Sequence, residues 1–161
     1  MENPSGDVFV LTEEKLSNAI EASRGNERRR MMLPIQRSDQ ATVQRLVNIL
    51  QPGSYVQPHH HPRPQVVELI CVLRGKVVFI IFSETGDVLE RVVLQADSTP
   101  SVMDILPGVW HTIIALEPDS VILEIKGGPY IQEEDKVFAD WAPKPDSEHA
   151  SHYLGQLIDG L

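Results

Sequence analysis

Two of the histidines in Pro58-His59-His60-His61-Pro62 are spaced to act together. In an extended chain residues two apart share a face, so His59 and His61 point one way and His60 the other. On the same rule Tyr55 and Gln57 lie on the face of the two histidines. After a turn at Pro62–Pro64 the chain returns with Glu68 early in the apolar run Val66–Leu73, where a carboxylate is costly to bury without a partner. A cation held by two imidazoles would be that partner. Further along, Pro107-Gly108-Val109-Trp110-His111 sets a third histidine directly after a tight turn. His59, His61, Glu68 and His111 together suit one divalent transition metal ion (Zn, Fe, Mn, Ni or Cu) with positions left open to water or substrate. Such an ion polarises a carbonyl or activates bound water or oxygen. Glu68 and Tyr55 are then candidate catalytic residues that move protons. The same residues also admit plainer readings: a solvated histidine loop, an incidental surface metal site, or a Glu68 paired with Arg63 or Arg74.

These residues must be held by strands. From Val43 onward, short apolar stretches alternate with turn chemistry: Gln51-Pro-Gly53, Pro62-Arg-Pro64, Arg74-Gly75, Glu84-Thr-Gly-Asp87, Pro107-Gly108 and Glu117-Pro-Asp119. The expected strands are Val43–Leu50, Ser54–His61, Val66–Leu73, Lys76–Ser83, Val88–Leu94, Val102–Leu106, His111–Leu116 and Ser120–Lys126. Many short strands at this spacing predict an antiparallel sandwich or barrel. Val66–Leu73 and Val77–Phe82 are apolar on both faces, so their outer faces need a cover: a second sheet, a helix or another subunit. This predicts a homodimer. Cys71 falls opposite Glu68 and reads as a buried small hydrophobe.

Ahead of the strands, Thr12 can cap a short helix that carries Leu16, Ala19 and Ile20 on one stripe and stops at Gly25. Arg28-Arg29-Arg30 then abuts Met31-Met32-Leu33. It reads either as a solvated turn before an edge strand or as an anion clamp, since guanidinium forks match phosphate and carboxylate. The tail is proline-punctuated and then mildly amphipathic through Tyr153, Leu154, Leu157 and Ile158, as for a short helix packed on the strands. His149 and His152 lie there as surface residues.

The chain has 161 residues and a net charge of −9, which argues against general nucleic-acid binding. No apolar run is long enough to span a bilayer, and the first residues lack the basic and apolar regions of a signal peptide. The single cysteine rules out an internal disulfide, and a cytoplasmic location is expected.

Gly53, His59, His61, Glu68 and Gly75 resemble the first cupin motif, with a slightly long gap before Glu68, and Pro107, Gly108 and His111 resemble the second. The second departs from the common form in its adjacent proline and glycine and in carrying Ala115 where asparagine is usual. More narrowly, the chain is similar to the WbuC-type cupin-fold metalloproteins. The resemblance rests on the Arg28–Arg30 segment, on residues 52–62, on Lys126-Gly-Gly-Pro-Tyr130 and on Asp135-Lys-Val-Phe-Ala-Asp-Trp-Ala-Pro143. It implies a mainly β chain: a small antiparallel β-barrel (double-stranded β-helix, cupin or jelly roll) with a short N-terminal helix and a C-terminal tail or helix. The expected organisation is a single cupin domain over 1–161: helix and arm to 42, barrel core 43–126, extension 127–161.

Three functions follow as expectations. The first is an enzyme acting on a sugar or sugar nucleotide in surface-polysaccharide metabolism, an association the resemblance implies. Gln44, Asn48 and Gln57 would supply polar contacts, and Arg29, Arg30 or Arg63 would hold an anionic group. The second is a metal-dependent dioxygenase. The third is a non-catalytic module that binds a small molecule.

Overall fold

The computed structural model describes residues 2–161. In chain order its elements are α1 (Glu13–Gly25), β1 (Arg30–Pro34), β2 (Val43–Leu50), β3 (His59–His60), β4 (Glu68–Arg74), β5 (Lys76–Phe82), β6 (Val88–Gln95), β7 (Val102–Ile105), β8 (Trp110–Ala115), β9 (Ser120–Gly127), α2 (Gln132–Asp135), β10 (Val137–Phe138) and α3 (Ala150–Ile158). Two five-stranded sheets, β1-β2-β9-β4-β7 and β10-β3-β8-β5-β6, face each other as a jelly-roll-like sandwich. Every strand pairing is antiparallel. The expected mainly β class is what the structure shows, although among the described residues the two sheets are not joined by hydrogen bonds into a closed barrel.

The inner faces meet through Ile70, Val72, Val77, Phe79, Leu94, Ile105 and Ile122. Alternation along β5 turns Val77 and Phe79 inward and Val78, Ile80 and Phe82 outward, where Leu154 and Leu157 of α3 cover them. The two-faced apolar character of β5 is therefore met by the chain's own C-terminal helix. On the other sheet α1 covers Val47, Ile49 and Val121 through Ala19 and Ile20. Outer-face residues of β4 and β7 stay uncovered in the chain: Leu69, Leu73 and Val102 are 38%, 45% and 51% exposed. Cys71 lies on this outer face, opposite Glu68 as expected, but is half-buried rather than buried.

α1 begins as the sequence predicts, with the Thr12 hydroxyl accepting from the Lys15 amide at 3.3 Å. A polar lock holds its other end. Arg24 grips Asp119 through Nε and Nη2 at 3.0 and 2.5 Å, and Gln51 Nε2 donates to both Asp119 (2.8 Å) and Ser23 Oγ (2.8 Å). Gln51 Oε1 in turn accepts from the Asp119 amide at 3.0 Å.

Only His59–His60 of the expected strand Ser54–His61 pairs in a sheet. Pro58 has no N–H to give a ladder, and residues 54–58 run as irregular chain before it. Gly75, at φ +72°, joins β4 to β5 where a Cβ would sit 2.6 Å from Ser120 Oγ, so the hairpin admits no side chain there. Among the described residues no helix is long and apolar enough to cross a membrane.

Candidate metal centre

The four expected ligands come from both sheets and meet between them. His59 of β3 lies directly opposite His111 of β8, and His61 follows β3 by one residue. Glu68, the first residue of β4, faces them from the other sheet. The turn that carries His111 is tied down by the Gly108 amide, which donates to the His61 carbonyl at 2.9 Å. All four side chains are buried, Glu68 being 4% exposed. One ring nitrogen from each of His59, His61 and His111 lies within 4.8 Å of the others.

The ring orientations are set from behind. His59 Nδ1 meets the Gln57 carbonyl at 3.0 Å, His111 Nδ1 meets the Val109 carbonyl at 2.9 Å, and His61 Nδ1 meets the Asp135 carbonyl. A carbonyl only accepts, so each Nδ1 carries the hydrogen and each Nε2 of a neutral ring turns a lone pair inward. Glu68 Oε1 sits 3.0 Å from His61 Nε2, and Oε2 sits 3.1 Å from His111 Nε2. Yet His61 Nε2 is buried and makes no well-oriented hydrogen bond among the described residues. Inward lone pairs facing a carboxylate repel one another unless a cation lies between them. Three imidazoles and a carboxylate are a donor set suited to a divalent transition metal, and backbone-anchored imidazoles are its usual supporting shell. The residues present therefore fit such an ion.

Electrostatics agree. Burial, with help from the charge of Lys136, holds His59 well below its usual pKa and keeps its ring neutral. Burial alone would raise Glu68, but the close approach of the His111 and His61 rings outweighs it and holds the carboxyl well below the usual range, hence ionised.

A cavity of about 980 Å³ opens onto the site. Of the expected contact residues it is lined by Gln44, Asn48, Gln57 and Arg30. Others lie elsewhere. Tyr55 packs on the outer face against Tyr153 of α3, and its hydroxyl donates to the Pro143 carbonyl at 2.7 Å. Burial pushes its pKa up, and the phenol, committed to the Pro143 carbonyl, does not line the cavity of the histidines. The alternation that put Tyr55 on their face fails because residues 54–58 are not a strand. Arg29 is exposed and its side chain lies over Gly53, away from the cavity. Arg63 donates to the Pro129 carbonyl at 2.7 Å and nears Glu134 at 3.8 Å, so it neither lines the cavity nor pairs with Glu68. His60 points outward onto Trp110, and His149 and His152 are exposed, as their positions predict.

Two cavity residues, Lys126 and Asp135, carried no sequence signal for a place at the site. Lys126 of β9 lies opposite Glu68 in register and is 5% exposed, with Nζ 2.9 Å from Asp135 Oδ1 and 3.4 Å from Glu124 Oε1. Burial opposes its charge, but Glu124, Asp135 and Glu68 outweigh that and raise its pKa. The fold, not local spacing, brings these groups together.

Several solved structures share the fold. The chain is similar to oxalate decarboxylase from Lactobacillus farciminis in a formate complex, with a TM-score of 0.52 and 18% identity over 68% of this chain and 31% of that one. It is similar to oxalate decarboxylase from Bacillus subtilis at pH 4.6, with a TM-score of 0.52 and 16% identity over 68% of this chain and 27% of that one. It also resembles an oxalate oxidase in complex with the substrate analogue glycolate, with a TM-score of 0.50 and 15% identity over 68% of this chain and 54% of that one. The chain thus spans roughly a third or less of the two decarboxylases and about half of the oxidase. These proteins have the cupin fold, and at this identity the likeness shows that fold alone. No curated protein sequence matches the chain. Residues 11–94, more than half of the chain, match the family described as a domain of unknown function, DUF6016, and the chain belongs to that family.

Proposed function

We propose that the chain is a metal-dependent cupin enzyme acting on a sugar, or a sugar nucleotide, through one divalent transition metal ion held by His59, His61, Glu68 and His111. The observation that carries this reading is the set of inward Nε2 atoms, each fixed by a backbone carbonyl at Nδ1, facing Glu68 beside a polar cavity. A bound ion would supply Lewis acidity toward a substrate carbonyl or hydroxyl.

The cavity wall supports a polyhydroxy ligand. Gln44 commits its amide N–H groups to the carbonyls of Asp39 (3.1 Å) and Ala41 (2.8 Å), leaving Oε1 to accept from a hydroxyl. Asn48 donates to Glu124 at 2.7 Å and Gln57 to the Ala139 carbonyl at 2.9 Å, which leaves their oxygens in the same condition. Arg30, also in the cavity wall, suits an anionic group. Its Nη1 donates to the Tyr55 carbonyl at 2.8 Å, and its Nε and Nη2 edge has no acceptor among the described residues. Burial lowers its pKa to about 10, so it keeps its charge at neutral pH. Glu68 is a catalytic carboxylate in this reading, able to hold or pass a proton at Oε1 or Oε2.

The WbuC-type resemblance favours a surface-polysaccharide sugar, the lone thiol a cytoplasmic location, and the bare Leu69–Leu73–Val102 face a homodimer. The chain is taken as a single cupin domain. The test is metal content and turnover across a panel of sugar phosphates and sugar nucleotides. The expected result is one ion per chain, with metal and turnover lost together in His59→Ala. An active, metal-free His59→Ala protein overturns the reading, and a monomer in sedimentation at all concentrations overturns the dimer.

A further inference from the structure

Lys126 is an expensive residue to keep where it is. A buried ammonium needs a counter-charge, and a well-packed apolar side chain in its place is often neutral or stabilising. Here the ammonium meets two carboxylates, Asp135 at 2.9 Å and Glu124 at 3.4 Å, so the local balance is negative even with the ion pair formed. The cluster is tied to the metal centre on both sides. Lys126 stands in register with Glu68 on β4 and with Gln44 on β2, which puts the three side chains on one inner face. The carbonyl of Asp135 orients His61, and its Oδ1 lies 3.8 Å from His61 Nδ1. An ammonium has three N–H donors. One is given to Asp135 Oδ2 at 3.3 Å, Glu124 Oε1 lies within ion-pair range at 3.4 Å, and the side chain lines the same cavity as Glu68, His59 and His111.

We propose that Lys126 is a substrate-binding residue whose remaining N–H grips one oxygen of a ligand while the metal-binding histidines and Glu68 hold the site of the neighbouring oxygen. This rests on the metal reading and narrows it. The ligand carries oxygen functions on adjacent carbons, as a sugar or a sugar acid does. Asp135 and Glu124 hold the ammonium in place, and Asn48 steadies Glu124 from the far side at 2.7 Å.

The test uses the full chain loaded with cobalt(II), whose visible spectrum reports ligands entering the centre. Glycerate, with a carboxylate and an adjacent hydroxyl, is titrated against acetate, which has the carboxylate alone. The wild-type protein binds glycerate more tightly than acetate. Lys126→Met lowers glycerate affinity by at least about tenfold, the scale of one lost charged hydrogen bond, and leaves cobalt content and acetate affinity unchanged. Should Lys126→Met fail to fold, the double variant Lys126→Met/Asp135→Asn restores the local charge balance and keeps the Asp135 carbonyl for His61; the same losses are expected of it. Unchanged glycerate affinity in either variant overturns the proposal. So does a wild-type protein with no preference for glycerate, or an equal loss of both ligands in the double variant. A wild-type protein that takes up no cobalt overturns the metal reading itself, and this inference falls with it.

Discussion

Two of the buried carboxylates, Asp119 and Glu68, have opposite fates. Asp119, under the end of α1, is enclosed by donors: Arg24 supplies two N–H groups, Gln51 supplies one, and Gln51 returns an acceptor to the Asp119 amide. Glu68 faces two imidazole nitrogens instead, and one of them, His61 Nε2, has no well-oriented partner. The first cluster is complete with protein groups alone. The second is arranged to within a hydrogen bond and left one participant short. Buried polar groups nearly always find partners, so the shortfall, more than the burial, marks the second cluster as a place for chemistry.

The largest effect expected from this contrast is on metal removal. An ion bound at a thousand times its dissociation constant stabilises the native state by roughly 4 kcal/mol. For a chain of this size chelation should therefore lower Tm by about 8–16 °C. Calorimetry with and without a chelator measures it. The shift should vanish in Glu68→Ala and persist in Asp119→Asn.

Asp119→Asn is the next in size. Asp119 sits at φ +57°, a conformation asparagine tolerates, so the change isolates the charge. Loss of the bonds from Arg24 should lower stability in denaturant unfolding, with metal content unchanged. An equal loss of metal would show that the two clusters are coupled.

Acid should separate the two in a defined order. The folded protein keeps His59 neutral where the unfolded chain protonates near 6.5, so its contribution is complete above that value and declines as pH falls below it. Metal affinity falls with it, because a protonated His59 cannot hold an ion. Hydrogen bonding from Arg24 holds the Asp119 carboxyl below 3.8, so its contribution persists above that value and is lost as pH falls through the lower folded one. Unfolding free energy against pH should therefore decline in two stages, the upper one larger in metal-binding protein.

The smallest effect tests a residue that belongs to neither cluster. Tyr55→Phe removes the bond to the Pro143 carbonyl and should cost about 1 kcal/mol, with no change in metal content. A change in metal content would restore Tyr55 to the site.

How far these features could be read from sequence depends on the range of the interaction. Where His59, His61, Glu68 and His111 come to lie follows from rules acting within a few residues: alternation on a strand, a turn before a histidine, a carboxylate in an apolar run. The jelly-roll class was legible for the same reason, through turn residues between apolar stretches. Tyr55 was misread because Pro58 breaks the ladder that the alternation rule assumes. Arg63 was misread because a charged side chain near a turn has many acceptors, and the Pro129 carbonyl is as good as a ligand. Lys126 and Asp135 were illegible, since β9 pairing and the return of residues 129–138 across the site join groups that share no local pattern. The α3 cover over β5 was a similar case: the sequence demanded a cover without saying which segment supplies it.

The carbonyls behind the three rings have a consequence for how this site can vary. Each imidazole is aimed by the path of the main chain at residues 57, 109 and 135, so no side chain does the aiming. A replacement at Val109 that leaves the chain path alone should leave His111 as it is. Scanning side chains one by one would find the ligands and pass over their supports. The geometry of the site is thus inherited with the fold, and substitution can change what the cavity admits without turning the rings.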